Sequence, residues 1–212
     1  DYQNSRFSEE SVGQWLATYR AILEGLIARS DMSVDEVAAS LSPAQADQLR
    51  RWNETSVDYP REKTVPALFD EVAAVRGTAT ALRSHAGEMS YAELASRIDR
   101  IAHGLVAAGA KPGDRVALFL ERSPEAIASL YAVMKCGATC VPLDPEYPLD
   151  RLHFLVTDSG ASLAICEGAW TDRLPKGLAA FTPDRLARDG EGRGAFACAA
   201  VNAEAAASIL YT

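Results

Sequence analysis

The 212-residue sequence lacks several features that would assign it to a class of protein at once. It has no run of about 18 apolar residues, so we expect no segment that spans a membrane. Its net charge is −8 and it has no basic stripe, which argues against a nucleic-acid partner. Its polar, acidic start does not resemble a secretory signal, and it has no initiator Met. These absences favour a globular piece of a longer chain without a nucleic-acid or membrane partner.

Cysteine and histidine are both scarce. The four cysteines are Cys136, Cys140, Cys166 and Cys198, and the three histidines are His85, His103 and His153. The first two cysteines have the spacing C-x3-C, but no second Cys or His pair accompanies them at zinc-binding spacing. All four cysteines lie in apolar stretches, which favours reduced core residues of a cytoplasmic protein. The histidines are scattered, and we expect a surface or packing role for His103.

Apolar residues recur at three- and four-residue steps from residue 8 to residue 29, which predicts one amphipathic helix capped by Ser8. The few residues before this helix cannot cover its apolar face, so we expect its packing partner in upstream sequence. Residues 30–63 show no continuous pattern apart from Ser42-Pro43-Ala44-Gln45, which offers a capping box. A Leu and a Trp follow at helical spacing. We therefore interpret this stretch as an interdomain connector with one or two docked helical turns.

From Thr64 onward, helical and strand patterns alternate along the chain. Helices are predicted over residues 65–75 (with Leu68, Phe69 and Val72 on one face), 90–108, 123–137 and 149–158; strands are predicted over 78–83, 116–120, 139–143 and 162–166, and a further buried strand over 207–212. Such alternation predicts an α/β fold with a parallel sheet and helices on both faces. Pro142 lacks a backbone N–H, so its strand should lie at an edge or meet a bulge. Residues 188–206 favour a surface excursion.

Three stretches of the sequence carry a resemblance to a known family. SYAEL (Ser90–Leu94), LYAVMKCGATCVPLDPEYPLDRL (Leu130–Leu152) and SILYT (Ser208–Thr212) resemble the first two core motifs, and the opening of the third, of amino-acid adenylation domains. The second motif is the specific one. RRWNET (Arg50–Thr55) resembles the segment that opens such domains, and YQNSRF (Tyr2–Phe7) resembles the last part of a condensation domain. The combination resembles a nonribosomal peptide synthetase.

This resemblance implies a division of the chain into three parts. Residues 1–37 would be the C-terminal tail of a condensation domain, and residues 38–63 would be an interdomain linker. Residues 64–212 would be the N-terminal part of an adenylation domain, cut at the phosphate-binding loop. The implied fold is the first portion of the large adenylation subdomain, preceded by a helix from a condensation-type domain.

The resemblance also implies a reaction for the intact enzyme. An amino acid is activated with ATP and Mg²⁺ as aminoacyl-AMP and is then loaded on the phosphopantetheine of a carrier domain. The implied partners are an upstream condensation domain and a downstream carrier domain in the same chain. The amino-acid pocket and the catalytic lysine would lie beyond Thr212. The present chain should therefore supply scaffold and interfaces and be inactive alone, and no catalytic or metal-binding residue is assigned within it.

Two sets of residues are candidates for binding. Thr212 is implied to be the first residue of the phosphate-binding loop, and hence a contact of ATP phosphates. Ala128, Ala132, Ala138 and Thr139 are small enough to accept an aromatic side chain of an MbtH-like protein, a partner that some similar adenylation domains need. The alternative interpretation of this helix, strand and turn is a purely structural one.

Other patterns have weaker functional interpretations. Asp144 and Glu146 offer a carboxylate pair, but their proline-rich turn favours a structural role. GEGRG (190–194) looks like a phosphate loop, but it lacks a preceding strand and a following helix, so we interpret it as a flexible loop. Two alternative functions stay open: an acyl-CoA synthetase-like ligase, and a non-catalytic docking module in which residues 1–63 do the work. ATP–pyrophosphate exchange by an extended chain would separate the enzyme from the docking module.

Overall fold

The computed structural model describes residues 6–29, 31, 33, 35–36, 43–85 and 87–211. The chain divides into two compact units with the boundary between Tyr59 and Pro60. Every helix within the described residues is too short or too polar to serve as a membrane span.

The described residues of the first unit include the helices α1 (Glu9–Ala28) and α2 (Pro43–Asn53). The side chain of Ser8 caps α1 by accepting a hydrogen bond from the backbone N–H of Ser11 at 3.1 Å, as predicted. All residues of α1 are described, and none of them is buried. The second helix spans about three turns, so the prediction of one or two turns was too short. Its predicted cap at Ser42 lies outside the described residues.

The described part of the second unit combines a parallel sheet with a separate antiparallel hairpin. The hairpin strands are β1 (Thr80–Ser84) and β2 (Gly87–Ser90). The sheet strands are β3 (Arg115–Phe119), β4 (Thr139–Pro142), β5 (Leu163–Cys166) and β6 (Ala179–Phe181), in the order β4-β3-β5-β6. The helices are α3 (Val65–Arg76), α4 (Tyr91–Ala107), α5 (Pro124–Lys135), α6 (Leu149–Ser159), α7 (Pro183–Asp189) and a 3₁₀ helix, Gly168–Arg173. The predicted α/β fold is confirmed.

The sheet has a hydrophobic core on each face, because successive strand side chains point to opposite faces. Val116 and Leu118 of β3 belong to the core that Ile98 of α4 joins. Phe119, the last residue of β3, belongs to the core that Leu152 of α6 joins. Helices therefore cover both faces of the sheet, as expected for parallel strands.

The longest helix of this unit begins at the N-cap Ser90, where the sequence Ser90-Tyr91-Ala92-Glu93 predicts a capping box. The Ser90 side chain accepts from the backbone N–H of Glu93 at 3.3 Å, and the Glu93 carboxylate accepts from the backbone N–H of Ser90 at 2.8 Å. The hydrogen bonds that the Glu93 carboxylate accepts from the backbone N–H and the hydroxyl of Ser90 hold the pKa of this carboxyl below its usual value. Gly109 follows the helix with φ of 100°, a conformation that favours glycine. Both ends of α4 therefore follow from the sequence.

Strand β4 lies at one edge of the sheet, as Pro142 predicts. The backbone N–H groups of Thr139 and Leu143 donate toward β3, to Asp114 and Leu118, whereas that of Cys140 donates to the other side. Because alternate residues of a strand bond to alternate sides, the nitrogen of Pro142 faces away from β3. Its missing donor therefore breaks no bond within the sheet.

The start of the second unit departs from the sequence predictions in two respects. Val72, predicted to share one face of α3 with Leu68 and Phe69, is exposed, and the neighbouring Ala73 is buried. The strand predicted over residues 78–83 begins two residues later and pairs with β2. The sequence does not predict β2, because GEMS is too short and too polar to show a strand pattern.

The segment after β5 contains more regular structure than its sequence suggests. The 3₁₀ helix, β6 and α7 all lie where no element was predicted. Each is too short for an apolar periodicity to be recognised in its sequence. Gly190 is buried, and a Cβ there would lie 2.0 Å from the Arg100 carbonyl oxygen. The flexible-loop interpretation is therefore wrong at Gly190, which is a close-packing position. Residues 191–206 have no helix or strand and no buried residue, which agrees with a surface excursion.

The last described residues do not form the buried strand predicted over residues 207–212. They make a single parallel bridge, between Cys140 and Ser208, on the outer edge of β4. Pro142 offers no N–H with which to extend this pairing, and Leu210 is 72% exposed. Thr212 itself lies outside the described residues.

Candidate functional site

A cleft of about 680 Å³ opens at the carboxyl ends of β3 and β4. Its walls come from residues 120–122, residues 142–147 and the final pair Leu210 and Tyr211. The chain runs from β3 outward to β4 and then back past β3 to β5, so the order of the strands reverses beside β3. Ligands of open parallel sheets bind outside the carboxyl ends of the strands, close to the reversal, which here lies between β3 and β5; the cleft shares with it the residues that follow β3. This cleft is therefore the candidate functional site.

One wall of the cleft is the turn that follows β4. The Asp144 carboxylate accepts from the backbone N–H of Glu146 at 2.9 Å, and the Asp144 carbonyl accepts from the N–H of Tyr147 at 3.1 Å. An Asp that bonds the backbone two residues on is a standard way to close a turn. The structural interpretation of Asp144 is therefore supported by its geometry.

Arg173, at the end of the 3₁₀ helix, holds this turn from outside the cleft. Its Nη1 donates to the carbonyl of Pro145 at 2.9 Å, and its Nη2 donates to the carbonyl of Tyr147 at 3.0 Å. Its guanidinium lies 5.3 Å from the centre of the Phe119 ring. Sequence reasoning missed Arg173, because its partners lie 26 and 28 residues away and no short motif links them.

The opposite wall is the segment that leads to Thr212. The Tyr211 hydroxyl donates to the Asp158 carboxylate at 2.7 Å, and its ring meets the Phe154 ring edge-on at 6.5 Å. The hydrogen bond to this carboxylate raises the pKa of the Tyr211 hydroxyl. Both partners belong to α6, so this helix fixes the chain directly before the predicted phosphate contact. The role of Thr212 stays a prediction.

The four residues predicted to accept a partner's aromatic side chain are all buried. Ala128 and Ala132 on α5, and Ala138 and Thr139 at the start of β4, are each at most 7% exposed. The Thr139 hydroxyl donates to the carbonyl of Ala206 at 2.9 Å. In this conformation the chain's own residues cover them. Their docking role stays a prediction, and a partner would reach them only if the cover moved.

A buried ion cluster lies on the sheet face that carries α4 and α5. Lys135 is 3% exposed, and its Nζ donates to Asp99 at 2.6 Å and to Asp70 at 2.8 Å. Burial acts to lower the pKa of Lys135, but the hydrogen bonds to the two carboxylates outweigh it and raise the pKa. The cluster joins α3, α4 and α5. We assign it a structural role, since it does not line the cleft.

The predicted core position is confirmed for three of the four cysteines, all of which lie within the described residues. They are unpaired, three of them are buried and Cys198 is half-buried. Burial raises the pKa of Cys136 and of Cys140 to about 12, and that of Cys198 to about 11. His103 packs edge-on against Phe196 with the ring centres 4.9 Å apart, which is a packing role. Among the described residues, no three His, Cys, Asp or Glu side chains converge on a metal site.

Residues 69–212 match the family described as AMP-binding enzyme. The chain belongs to this family. It is similar to malpibaldin synthetase of Mortierella alpina, with 37% identity over 167 residues that cover 78% of this chain and 3% of that protein. It is also similar to surfactin synthase subunit 1 of Bacillus subtilis (strain 168), with 33% identity over 179 residues that cover 84% of this chain and 5% of that protein. The chain thus spans a small fraction of the length of these relatives.

Solved structures agree with the family match. NpsA-ThdA of Klebsiella oxytoca, described as an artificially fused Adenylation-PCP di-domain NRPS, has a TM-score of 0.66 and 28% identity over 71% of this chain and 28% of that chain. The NpsA N-terminal subdomain, solved in complex with anthranilyl-AMSN, has a TM-score of 0.62 and 28% identity over 71% of this chain and 38% of that chain. The recognition of an adenylation-domain portion of the nonribosomal peptide synthetase type is confirmed.

Proposed function

We propose that this AMP-binding chain forms the first part of an adenylation domain that activates an amino acid with ATP. One observation carries the proposal. The cleft at the carboxyl ends of β3 and β4 lies inside the family match, and Tyr211 forms its wall directly before Thr212. We assign Thr212 as the first residue that meets the ATP phosphates when the following loop is present. The similar NpsA N-terminal subdomain has been solved in complex with anthranilyl-AMSN, which supports a ligand-binding role for a subdomain of this fold.

The proposed reaction has two steps. The amino-acid carboxylate attacks the α-phosphate of ATP, which gives aminoacyl-AMP and releases pyrophosphate. The thiol of a carrier domain's phosphopantetheine then takes the aminoacyl group as a thioester and releases AMP. Magnesium neutralises charge on the phosphates in such reactions. Among the described residues no three His, Cys, Asp or Glu side chains converge, so we assign this chain no magnesium ligand and no step through the ion.

The three-part organisation belongs to the same proposal. Residues 1–37 end a condensation domain, residues 38–63 link it to the adenylation domain, and residues 64–212 begin that domain. The boundary between the two compact units, at Tyr59 and Pro60, falls within the proposed linker. The partners are then the neighbouring condensation and carrier domains, and an MbtH-like protein at Ala128, Ala132, Ala138 and Thr139. We place the enzyme in the cytoplasm, where its free thiols stay reduced.

Amino-acid-dependent ATP–pyrophosphate exchange tests the proposal. The protein should be the chain extended through the phosphate-binding loop and the C-terminal adenylation region, with an MbtH-like protein added in a parallel sample. We expect exchange with one or a few amino acids in the extended protein and none in the 212-residue chain alone. Absence of exchange from a folded extended protein in both samples would overturn the amino-acid-activating function and leave the docking module or the acyl-CoA synthetase-like ligase.

The acyl-CoA synthetase alternative needs a separate measurement. The extended protein is incubated with ATP, candidate acids and either coenzyme A or a phosphopantetheinylated carrier domain. We expect a thioester on the carrier domain and none on coenzyme A. Transfer of a fatty or aryl acid to coenzyme A would instead support the ligase.

A further inference from the structure

The turn between β4 and α6 forms a wall of the cleft but has few hydrogen bonds of its own. Pro142, Pro145 and Pro148 carry no backbone N–H, so this stretch is short of donors. Within it, the backbone N–H groups of Glu146 and Tyr147 both bond back to Asp144. The carbonyls of Pro145 and Tyr147 receive their hydrogen bonds from Arg173, which lies on a different element.

The order of the strands explains how Arg173 reaches this turn. It follows β5, the turn follows β4, and β3 lies between these two strands. The guanidinium therefore crosses the carboxyl end of β3, where it lies over the ring of Phe119. The Trp170 ring also packs against Phe119, with the two ring centres 5.0 Å apart. The guanidinium therefore packs on the buried ring of Phe119 as well as bonding the turn.

Only arginine has the shape for this connection. Its planar fork presents two N–H donors in a fixed geometry, whereas lysine offers a single flexible ammonium group. The two carbonyls lie two residues apart, and each takes one nitrogen of the fork. A carbonyl left without its donor in a half-buried position loses a charge-assisted bond, so the turn would move to find water.

We infer that Arg173 is a positioning residue that holds the Asp144–Pro148 turn in place, so that the cleft is preformed for its ligand. Taking ATP as that ligand rests on the proposed function above. Arg173 touches no reacting group in this assignment; it acts through the carbonyls of Pro145 and Tyr147. Misplacement of a binding wall weakens ligand binding more than it slows the chemical step.

Arg185 provides a matched control within the same unit. Its guanidinium also lies over a phenylalanine ring, that of Phe181, at 5.0 Å. Its charged partner is Asp189, four residues along the chain, at 4.0 Å, and it does not line the cleft. Substitution of Arg185 therefore removes a similar cation–ring contact but leaves the turn untouched.

The experiment compares Arg173→Gln, Arg173→Lys and Arg185→Gln with the unsubstituted protein. Pyrophosphate exchange by the extended protein gives KM for ATP and kcat. Hydrogen–deuterium exchange of residues 143–147 is measured on the same proteins and reports the turn independently of activity. For Arg173→Gln we expect a KM for ATP raised about tenfold with kcat within about twofold, because two charge-assisted hydrogen bonds are lost. Hydrogen–deuterium exchange at residues 143–147 should be faster in Arg173→Gln than in the unsubstituted protein. In both KM and amide exchange, Arg173→Lys should lie between these two proteins, and Arg185→Gln should match the unsubstituted protein.

The outcomes separate this inference from the proposed function. If the unsubstituted protein exchanges pyrophosphate and Arg173→Gln matches Arg185→Gln in KM and in amide exchange, the positioning role is overturned and adenylation stands. If no protein exchanges pyrophosphate but the turn opens only in the Arg173 variants, the hold on the turn stands and the adenylation proposal fails. If Arg173→Gln does not fold, Arg173→Lys decides: a raised KM supports the inference, and an unchanged KM overturns it.

Discussion

Helices α1 and α4 begin in the same way, but their apolar faces lie in different environments. Each starts at a serine whose side chain accepts a backbone hydrogen bond, and each carries apolar residues at helical spacing. Helix α4 buries Leu94, Ile98, Ile101 and Leu105, whereas α1 leaves Trp15, Leu16, Tyr19 and Leu23 exposed. The comparison teaches that apolar periodicity specifies a helix, while the burial of its face depends on a partner that the pattern does not identify.

The buried charge cluster of the second unit should give the largest difference between the two regions. Replacing Lys135 by Met leaves the buried Asp99, and the half-buried Asp70, without their cation, so the free energy of unfolding should fall by about 3–5 kcal/mol. The matched variant Arg20→Met removes a charge from α1, where the pair with Glu24 is exposed, and should change nothing measurable. Urea unfolding of both variants makes the test. Equal effects would contradict the comparison.

The pH dependence of this first effect has a defined sign. The pKa of Lys135 is raised in the folded protein above its usual value of 10.5. A raised pKa means that the stabilisation is complete below about 10.5 and is lost as the pH rises through the folded-state pKa. The difference in unfolding free energy between the unsubstituted protein and Lys135→Met should therefore be constant near neutral pH and should shrink in strong alkali.

Apolar truncations in the two helices should give the next largest difference. Ile98→Ala in α4 removes a fully buried side chain and should lower the free energy of unfolding by about 2–5 kcal/mol. Leu16→Ala in α1 removes an exposed side chain and should change it by less than about 0.5 kcal/mol. Thermal unfolding compares them. A large loss for Leu16→Ala would show that the exposed face of α1 is covered in solution.

Removal of the two helix caps should give a smaller effect. Ser90→Ala breaks a capping box and should lower the free energy of unfolding by about 1 kcal/mol. Ser8→Ala removes the cap of a helix with no buried residue, so we expect helicity to fall at that end with the main transition unmoved. Circular dichroism during thermal unfolding reports both quantities. A shift of the main transition by Ser8→Ala would make α1 part of the cooperative unit.

Thiol labelling should distinguish the half-buried cysteine of the second unit from its buried cysteines, and no substitution that changes stability is needed. A pKa of about 11 leaves roughly a thousandth of Cys198 as thiolate at pH 8, so its reaction with iodoacetamide should be slow and should speed up about tenfold per pH unit. Cys136 and Cys140 should react only after unfolding. Mass spectrometry of labelled peptides over a pH series measures this. Early labelling of Cys140 would contradict its burial.

The sequence predicts the elements whose signals are local. The capping box at Ser90, the helix end at Gly109 and the edge position of Pro142 each depend on a few neighbouring residues, and the structure has all three. The elements that it misses, β2, β6 and α7, are short and acquire their structure from pairing and packing. Gly190 looks like loop glycine because its close contact, with Arg100, lies 90 residues away in the sequence.

The candidate site divides in the same way. The proline-rich turn after β4 is readable as a turn, and the carboxyl edge of a parallel sheet is the expected place for a cleft. Arg173 and Asp158, which hold its walls, cannot be identified from the sequence, because each acts through a partner far along the chain. The buried Lys135 offers a weak signal, a lone cation among the apolar residues of α5, which becomes meaningful once Asp99 is placed beside it.

The bridge between Cys140 and Ser208 has a consequence for the order in which the chain folds during synthesis. The Thr139 hydroxyl bonds a carbonyl 67 residues later in the chain, so the outer edge of β4 leaves the ribosome long before the segment that covers it. At about 5–20 residues per second, this edge waits roughly 3 to 13 s for its cover. An uncovered strand edge invites pairing with other nascent chains. Pro142 offers no N–H on that side, so it shortens the part of the edge that can pair with another strand during this interval.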